Sequence, residues 1–476
     1  MSGKVRRLKK ERSLSGFSDD SSEERLITVT FMQINNEFLH LTVERLWGGT
    51  QPDEGVTVRR RRGYRKTHIG LLMIIIVGEA VAGGLQINEQ SATAMSMGGA
   101  FVALASNPSA IYFNPAGLSF QKGTKFLLGT TVIVTRPTFR GVFPAVDETR
   151  MENGVSFPSY FYVTHTFESG VGLGFGVYNP FSLRTEWPDD WVGRYLTTRA
   201  ELQTFYLNPS ISYKVGTTIS IGGGINYLLG SAELQRRVDL SPGEGHVKLE
   251  GDGNAVTVNI GFLFRPSACW SFGVSWRRRA SLDIDGTGTF SMLPDSLVPE
   301  FPGGDLSVVI KLPDNISSGV AYSPNDDWVF SAEFQWIGWS VVDSVNFNFS
   351  TTTSLQKDIR IVENWVDGWL LRVGGEYRLS SVWKVRAGYF YDSVPSVDKF
   401  LNPILPEADR MGFNVGAGYK VSDNLFIDVS FLYVRSNERE ITNSLVEFDP
   451  SRPGEFFNGT YDATASMFAL NLGYNL

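Results

Sequence analysis

The stretch Trp369 to Tyr391 reads "WLLRVGGEYRLSSVWKVRAGYFY", and its alternation decides the fold. In 369–377, Trp369, Leu371, Val373 and Tyr377 share one face, while Arg372, Gly374 and Glu376 share the other. A short polar turn follows. In 383–391, Trp383, Val385, Tyr389 and Tyr391 then oppose Lys384, Arg386 and Gly388. Period two puts successive side chains on opposite sides of a sheet, and two such runs across a tight turn read as a β-hairpin.

The same device recurs along the chain. "YKVGTTI" (213–219), "FRPSACW" (264–270), "YSPNDDW" (322–328) and "YKVSDNL" (419–425) each close one strand on an aromatic and open the next on a Trp or aliphatic. An earlier hairpin turns at Glu168-Ser169-Gly170. Adding a first strand near 124–135 and a last near 463–476 predicts fourteen strands, an even number as closed bacterial barrels require. Apolar faces that start and finish on aromatics match the two girdles of a transmembrane antiparallel β-barrel. Short turns at one end, with long loops such as 230–253 and 340–366 at the other, point the same way. The fold class is therefore all-β.

The 476 residues carry a net charge of −7 and a single cysteine, Cys269. That excludes an internal disulfide and a Cys-rich metal site, and scattered basic residues give no nucleic-acid footprint. No apolar run reaches the roughly 18 residues of a transmembrane helix. "RRRRGYRK" (59–66), an apolar stretch from Ile69 to Val77 and Ala80-Val81-Ala82 form the basic, apolar and small-residue parts of a signal peptide over 59–82. Residues 1–58 are polar and aperiodic. They are expected to be a disordered upstream extension from a mis-assigned start, with Val56 or Val58 as the initiator.

Before the first strand lies "SNPSAIYFNPAGLS" (106–119), preceded by a run of small residues. Asn is a good N-cap and Pro suits the first helical position. Asn107-Pro108 and Asn114-Pro115-Ala116 thus each start a short helical turn, and 83–122 reads as a compact plug for the barrel of 123–476. A ring of fourteen strands is wide enough to leak unless filled.

Three segments resemble one family. "GGLQINEQSATAMSMGGAFVALASNPSAIYFNPAGLS" looks like the N-terminal hatch of the FadL-type outer-membrane transporters (the OMPP1/FadL/TodX family), with Asn114-Pro115-Ala116 at its core motif. "YNPFSLRTEWPDDWVGRY" (178–195) and "YDSVPSVDKFLNPILPEADRMGFNVGAGYK" (391–420) resemble its segment after the third strand and its late extracellular loop. The resemblance implies a Gram-negative outer-membrane protein, a monomer, inserted by the barrel-assembly machinery and seated in lipid and lipopolysaccharide. It implies passive uptake of a long-chain fatty acid or other hydrophobic small molecule, without cofactor, metal or nucleic acid. It also implies capture at extracellular loops, transfer to a site beside the hatch, and lateral exit where the third strand kinks. Here that strand carries Gly172, Gly174 and Gly176 and ends at Asn179-Pro180. The glycines either weaken the ladder or fit a crowded wall.

Candidate substrate residues are Phe400, Leu401, Ile404 and Leu405, expected as an exposed apolar lip for capture. Arg372, Lys384 and Arg386 face the lumen and either pair with a ligand carboxylate or form an ion-pair network with Glu333 and Glu376. A general diffusion porin is the alternative, and it predicts an open lumen without an N-terminal plug. A lipolytic barrel enzyme needs clustered catalytic groups. His165 and His246 are expected at opposite ends and His40 and His68 precede the cleavage point, so no catalytic residue is assigned.

Overall fold

The computed structural model describes residues 28–34, 37–42, 85–144, 146–152, 155–448 and 454–476. The chain divides into two units, residues 1–75 and 76–476. In the first, Thr28–Ile34 and Glu37–Thr42 pair antiparallel, so part of the stretch expected to lack structure is a hairpin. The signal peptide of 59–82 and the start candidates Val56 and Val58 lie outside the described residues.

The second unit is a closed antiparallel barrel of fourteen strands. They are β1 (Gly123–Gly141), β2 (Ser159–Thr166), β3 (Val171–Tyr178, then Ser182–Glu186), β4 (Arg199–Val215), β5 (Ile219–Asp239) and β6 (Glu244–Phe264). Next come β7 (Trp270–Arg277, then Ala280–Ser291), β8 (Gly304–Leu312, then Asn315–Tyr322) and β9 (Trp328–Ile337, then Ser344–Phe349). The ring is completed by β10 (Ile359–Val362, then Gly368–Arg378), β11 (Trp383–Asp392), β12 (Arg410–Lys420), β13 (Leu425–Ser436) and β14 (Gly459–Asn475). It closes where β14 pairs with β1, from Asn475↔Lys125 to Gly459↔Gly141. All six expected hairpins are present.

Both expected long loops are corrected. Within 340–366, Ser344–Phe349 and Ile359–Val362 pair antiparallel, because Phe347 and Phe349 continue the inward alternation. Residues 230–253 are not a loop: β5 and β6 run on in unbroken register to Asp239↔Glu244. The physical reason is that alternation persists, with Leu234, Val247 and Leu249 buried inside the ring. The first and last strands also extend further towards the extracellular end than expected.

Side chains on the outer face are apolar and open to lipid; Val373, Phe413 and Phe468 are each more than half exposed. At the short-turn end, Trp270–Tyr322, Trp328–Tyr377 and Trp383–Tyr419 stack in register, each pair with ring centroids 4.5 Å apart. At the other edge of the belt Trp276, Ile316, Trp336 and Trp369 occupy one row across β7 to β10. Two aromatic rows mark the two faces of the bilayer.

The hatch fills the lumen. It comprises α1 (Ala92–Met95), α2 (Ala110–Phe113) and a 3-10 helix (Pro115–Phe120). Asn114 caps that last helix: its Oδ1 accepts from the Ala116 amide at 3.1 Å, with Pro115 in the first turn. Asn107 Oδ1 likewise accepts from the Ser109 amide at 3.0 Å. The inward glycines of β10 and β11 admit this backbone. A Cβ on Gly374 would meet the Met97 carbonyl oxygen at 2.2 Å, and one on Gly388 the Gly98 nitrogen at 2.1 Å.

Candidate functional site: an apolar cavity above a tethered hatch

Inward-facing Leu202, Leu234, Leu249, Ile284, Leu306 and Val308 come from successive strands of the ring and line an apolar cavity. Its cavity volume is about 110 Å³. Leu85 of the hatch and Trp365, Ile404 and Leu405 complete it. Alternation along β4 to β8 produces this lining, because Ala200 and Leu202, Ala232 and Leu234, Val247 and Leu249, Leu282 and Ile284, and Leu306 and Val308 fall on inward positions two residues apart. A space of this polarity suits the hydrocarbon part of a hydrophobic ligand.

The loop expected to be an exposed lip is instead folded inward. Leu401 is buried among Phe139, Trp187, Trp191, Phe457 and Tyr461, and Leu405 is buried against the cavity. The reason is the hydrophobic effect: the aromatic cluster offers these side chains a dry site. Phe400 and Ile404 remain half-buried and line a second, outer groove that also contains Tyr195, Leu240, Phe290 and Leu445. Ile404 belongs to both spaces.

Arg372, Lys384 and Arg386 are brought together with acids rather than held free. Arg372 pairs with Glu333 at 2.8 Å, both side chains buried. Glu333 in turn accepts from the Phe101 and Val102 amides of the hatch, each at 2.9 Å. Arg386 bridges Glu376 at 2.6 Å and Asp428 at 2.7 Å, and Lys384 also binds Glu376 at 2.6 Å. Asp428 accepts from the Thr93 hydroxyl at 3.0 Å. The network therefore ties wall to hatch. Asn114 adds another tie, donating to the Val102 carbonyl at 2.9 Å and to Phe262 of the wall at 3.0 Å.

Pairing along β3 breaks at Asn179-Pro180, as expected. Below the break Gly172, Gly174 and Gly176 keep full register with β2 and β4. A Cβ on Gly172 would meet the Leu118 carbonyl carbon, and one on Gly174 the Ile111 side chain, each at 2.8 Å. These glycines fit a crowded wall. The hatch itself occupies the break: the Ile87 amide donates to the Pro180 carbonyl at 2.8 Å and the Ser182 amide to Leu85 at 2.9 Å. Gln90 donates to the Asn179 carbonyl at 2.6 Å.

Two further residues were not singled out from the sequence. Arg277, buried at the upper end of the lower β7 segment, stacks 4.5 Å over Tyr112 and donates to the Tyr112 carbonyl at 2.8 Å. Among the described residues it has no carboxylate partner, and its Nε is buried without an acceptor. Glu363 lines the cavity and accepts from Trp365 Nε1 at 2.7 Å and Asn402 Nδ2 at 2.8 Å. Burial pushes its carboxyl up to about 7, against the two hydrogen bonds, and Glu407 adds to the rise. Strand periodicity gives the face of each residue but not what lies across the lumen, so neither residue was marked.

The fold is shared with solved outer-membrane barrels. A Pseudomonas aeruginosa FadL homologue superposes with TM-score 0.73 at 19% identity, covering 84% of this chain and 99% of that one. The Pseudomonas putida toluene transporter TodX gives 0.65 at 16%, covering 83% and 98%. Among curated proteins, outer membrane protein P1 of Haemophilus influenzae is 22% identical, over 87% of this chain and 99% of its own length. The long-chain fatty acid transport protein of Escherichia coli K12 is 20% identical, over 84% and 98%. The family model for outer membrane protein transport proteins matches residues 73–476, the whole of the barrel and hatch just described. With that, the chain belongs to the OMPP1/FadL/TodX family of outer-membrane transport proteins.

Proposed function

We propose that the protein takes up long-chain fatty acids, or similarly hydrophobic molecules, passively across the outer membrane. The apolar cavity directly above a filled lumen carries this reading. Each methylene gains about 0.8 kcal/mol on leaving water, so a long chain is drawn into such a space while ions and sugars are not. A molecule is captured in the outer groove at Phe400 and Ile404, passes Ile404 into the cavity, and rests with its tail among Leu234, Leu249 and Val308. Movement of Leu85 to Ile87 away from the break at Asn179-Pro180 then frees the exit. The names of the relatives from Escherichia coli and Pseudomonas putida support a hydrophobic substrate.

Arg277 replaces Arg372, Lys384 and Arg386 as the candidate for a carboxylate head group, because its guanidinium, unlike their charged groups, has no acid partner among the described residues. The unbroken lipid-facing belt supports a single ring in lipid and lipopolysaccharide, acting as a monomer after insertion by the barrel-assembly machinery. The test is displacement of a fluorescent fatty acid from the detergent-solubilised protein, with Arg277→Met beside the native chain. A charge-assisted hydrogen bond is worth about 1.5–3 kcal/mol, so binding should weaken roughly 10- to 100-fold for the acid and stay unchanged for its methyl ester. Equal loss for both would remove the head-group role. No binding of either by the native chain would remove the transport reading.

A further inference from the structure

Beneath the hatch, at the short-turn end of the barrel, lies a second cavity of about 270 Å³. Gly117, Phe120 and Lys122 of the hatch line one side of it, and Lys125 and Arg265 of the wall line the other. It shares no lining residue with the apolar cavity above. Lys125 lies two residues before the buried Leu127 of β1, and Arg265 two residues after the buried Leu263 of β6. Period two therefore turns both side chains into the lumen. Arg265 Nη2 donates to the Leu104 carbonyl of the hatch at 2.7 Å, and its guanidinium lies 4.3 Å from the Phe120 ring. The ammonium of Lys214, on β4, lies 5.7 Å from the same ring.

Four cations thus meet at one place, and among the described residues none of them has a carboxylate partner. Glu168, in the turn beside Lys214, is exposed and pairs with none of the four. The terminal residue Leu476 packs beside Gly123, and its carboxylate makes no ion pair with them either. The opposite side of the same mouth is built differently. There Lys384 and Arg386 are matched by Glu376 and Asp428, and Lys420 by Asp423 at 2.8 Å. Like charges left without an acid repel one another. A cleft walled by protein and lined by one sign of charge also gathers counter-ions. The ring of strands separates this cavity from lipid, whereas Lys122 is exposed to water, so the counter-ion comes from the periplasmic side.

We propose that this cavity binds a small, doubly charged oxyanion of the phosphate class, and that the bound anion clamps the end of the hatch at Phe120 to Lys122 against the wall at Lys125 and Arg265. Three lining cations exceed what one carboxylate neutralises and match the charge of a phosphate, about −1.5 to −2 at neutral pH. Arg265 keeps donors beyond the one given to Leu104, and the lysines add mobile point charges. An anion that touches hatch and wall together opposes any hatch movement that separates them. The site stands apart from the uptake proposed above and does not depend on it.

The experiment uses the detergent-solubilised barrel with its hatch, freed of phosphate by dialysis. Inorganic phosphate is titrated in by calorimetry at about pH 8, where the dianion dominates. Hydrogen-exchange protection over residues 104–122 is then compared in phosphate and in sodium chloride of equal ionic strength. With phosphate at about ten times its dissociation constant, protection should rise roughly tenfold, since opening must first release the anion. Protection over β13 should stay the same. Lys122→Gln with Lys125→Gln removes two charges and no side-chain hydrogen bond among the described residues. It should weaken phosphate binding roughly 10-fold or more and abolish the gain in protection, with heat-modifiable migration reporting the folded barrel. Arg265→Gln is the second route: losing the tie to Leu104 lowers protection in chloride as well, and phosphate should restore none of it. Equal protection of the native chain in phosphate and chloride would overturn the site. So would an undiminished phosphate effect in the double variant, which would place the anion elsewhere. Either result leaves the transport reading standing, because fatty-acid binding is measured separately.

Discussion

Glu363, a half-buried carboxyl, should make the loop above the cavity sensitive to pH. It lies beyond the membrane belt, holds Asn402 at 2.8 Å, and has its carboxyl raised from 4.5 to about 7 by burial. An acid whose pKa is higher in the folded state favours folding most when protonated. Its contribution is full below about 4.5, falls as pH rises through the window from there to about 7, and is lost above it. A shift of that size corresponds to about 3 kcal/mol. Hydrogen-exchange protection factors over residues 398–408, each rate referred to the intrinsic rate at its own pH, should therefore be higher at low pH than at pH above 7, and Glu363→Gln should flatten the difference. Equal protection at both ends of the window in the native chain would contradict this. A second residue-level contrast separates neighbours in one loop. Leu401→Asp places a charge in the aromatic cluster of Phe139 and Trp191 and should cost at least the roughly 2–5 kcal/mol of a buried leucine truncation. Ile404→Asp, at the junction of groove and cavity, should leave the urea midpoint of the barrel nearly unchanged yet reduce fatty-acid uptake. Equal stability of the two variants would mean that the burial of Leu401 is not what holds the loop.

At the scale of elements, the hatch is held by polar ties as well as by fit. Removing one partner of a buried ion pair strands the other and costs about 3–5 kcal/mol. Glu333→Ala strands Arg372 and frees the Phe101 and Val102 amides at once. It should raise ion conductance in planar bilayers while heat-modifiable migration of the barrel persists; conductance as low as the native protein's would show that other ties suffice. Deleting 83–122 should give a folded barrel that conducts freely. The strands were legible because alternation is local: "WLLRVGGEYR" shows its two faces without reference to any other segment. The paired Asn-Pro turns were legible for the same reason, since capping is settled within a few residues. The inward fold of 400–405 was not, because it depends on Phe139 and Trp191, over 200 residues away in sequence. Nor was the length of β5 and β6 read correctly: glycines and charges from Gly230 to Gly253 resemble a loop until Leu234 and Leu249 are seen to face the same lumen.

For the whole molecule, closed ring, filled lumen, apolar cavity and interrupted β3 describe a barrel closed to water-soluble solutes and open to hydrophobic ones. A porin of the same strand number would need an open lumen, yet here every residue of α1 is buried between hatch and wall. Each structural feature has its own consequence, but the account stands on selectivity. Labelled long-chain fatty acid and a labelled small sugar should be offered to the same cells, lacking their own transporters and expressing this chain. The account predicts uptake of the fatty acid that Ile404→Asp reduces, with sugar entry no faster than in cells without the protein. Rapid sugar entry through the intact protein, with fatty-acid uptake indifferent to Ile404, would contradict it.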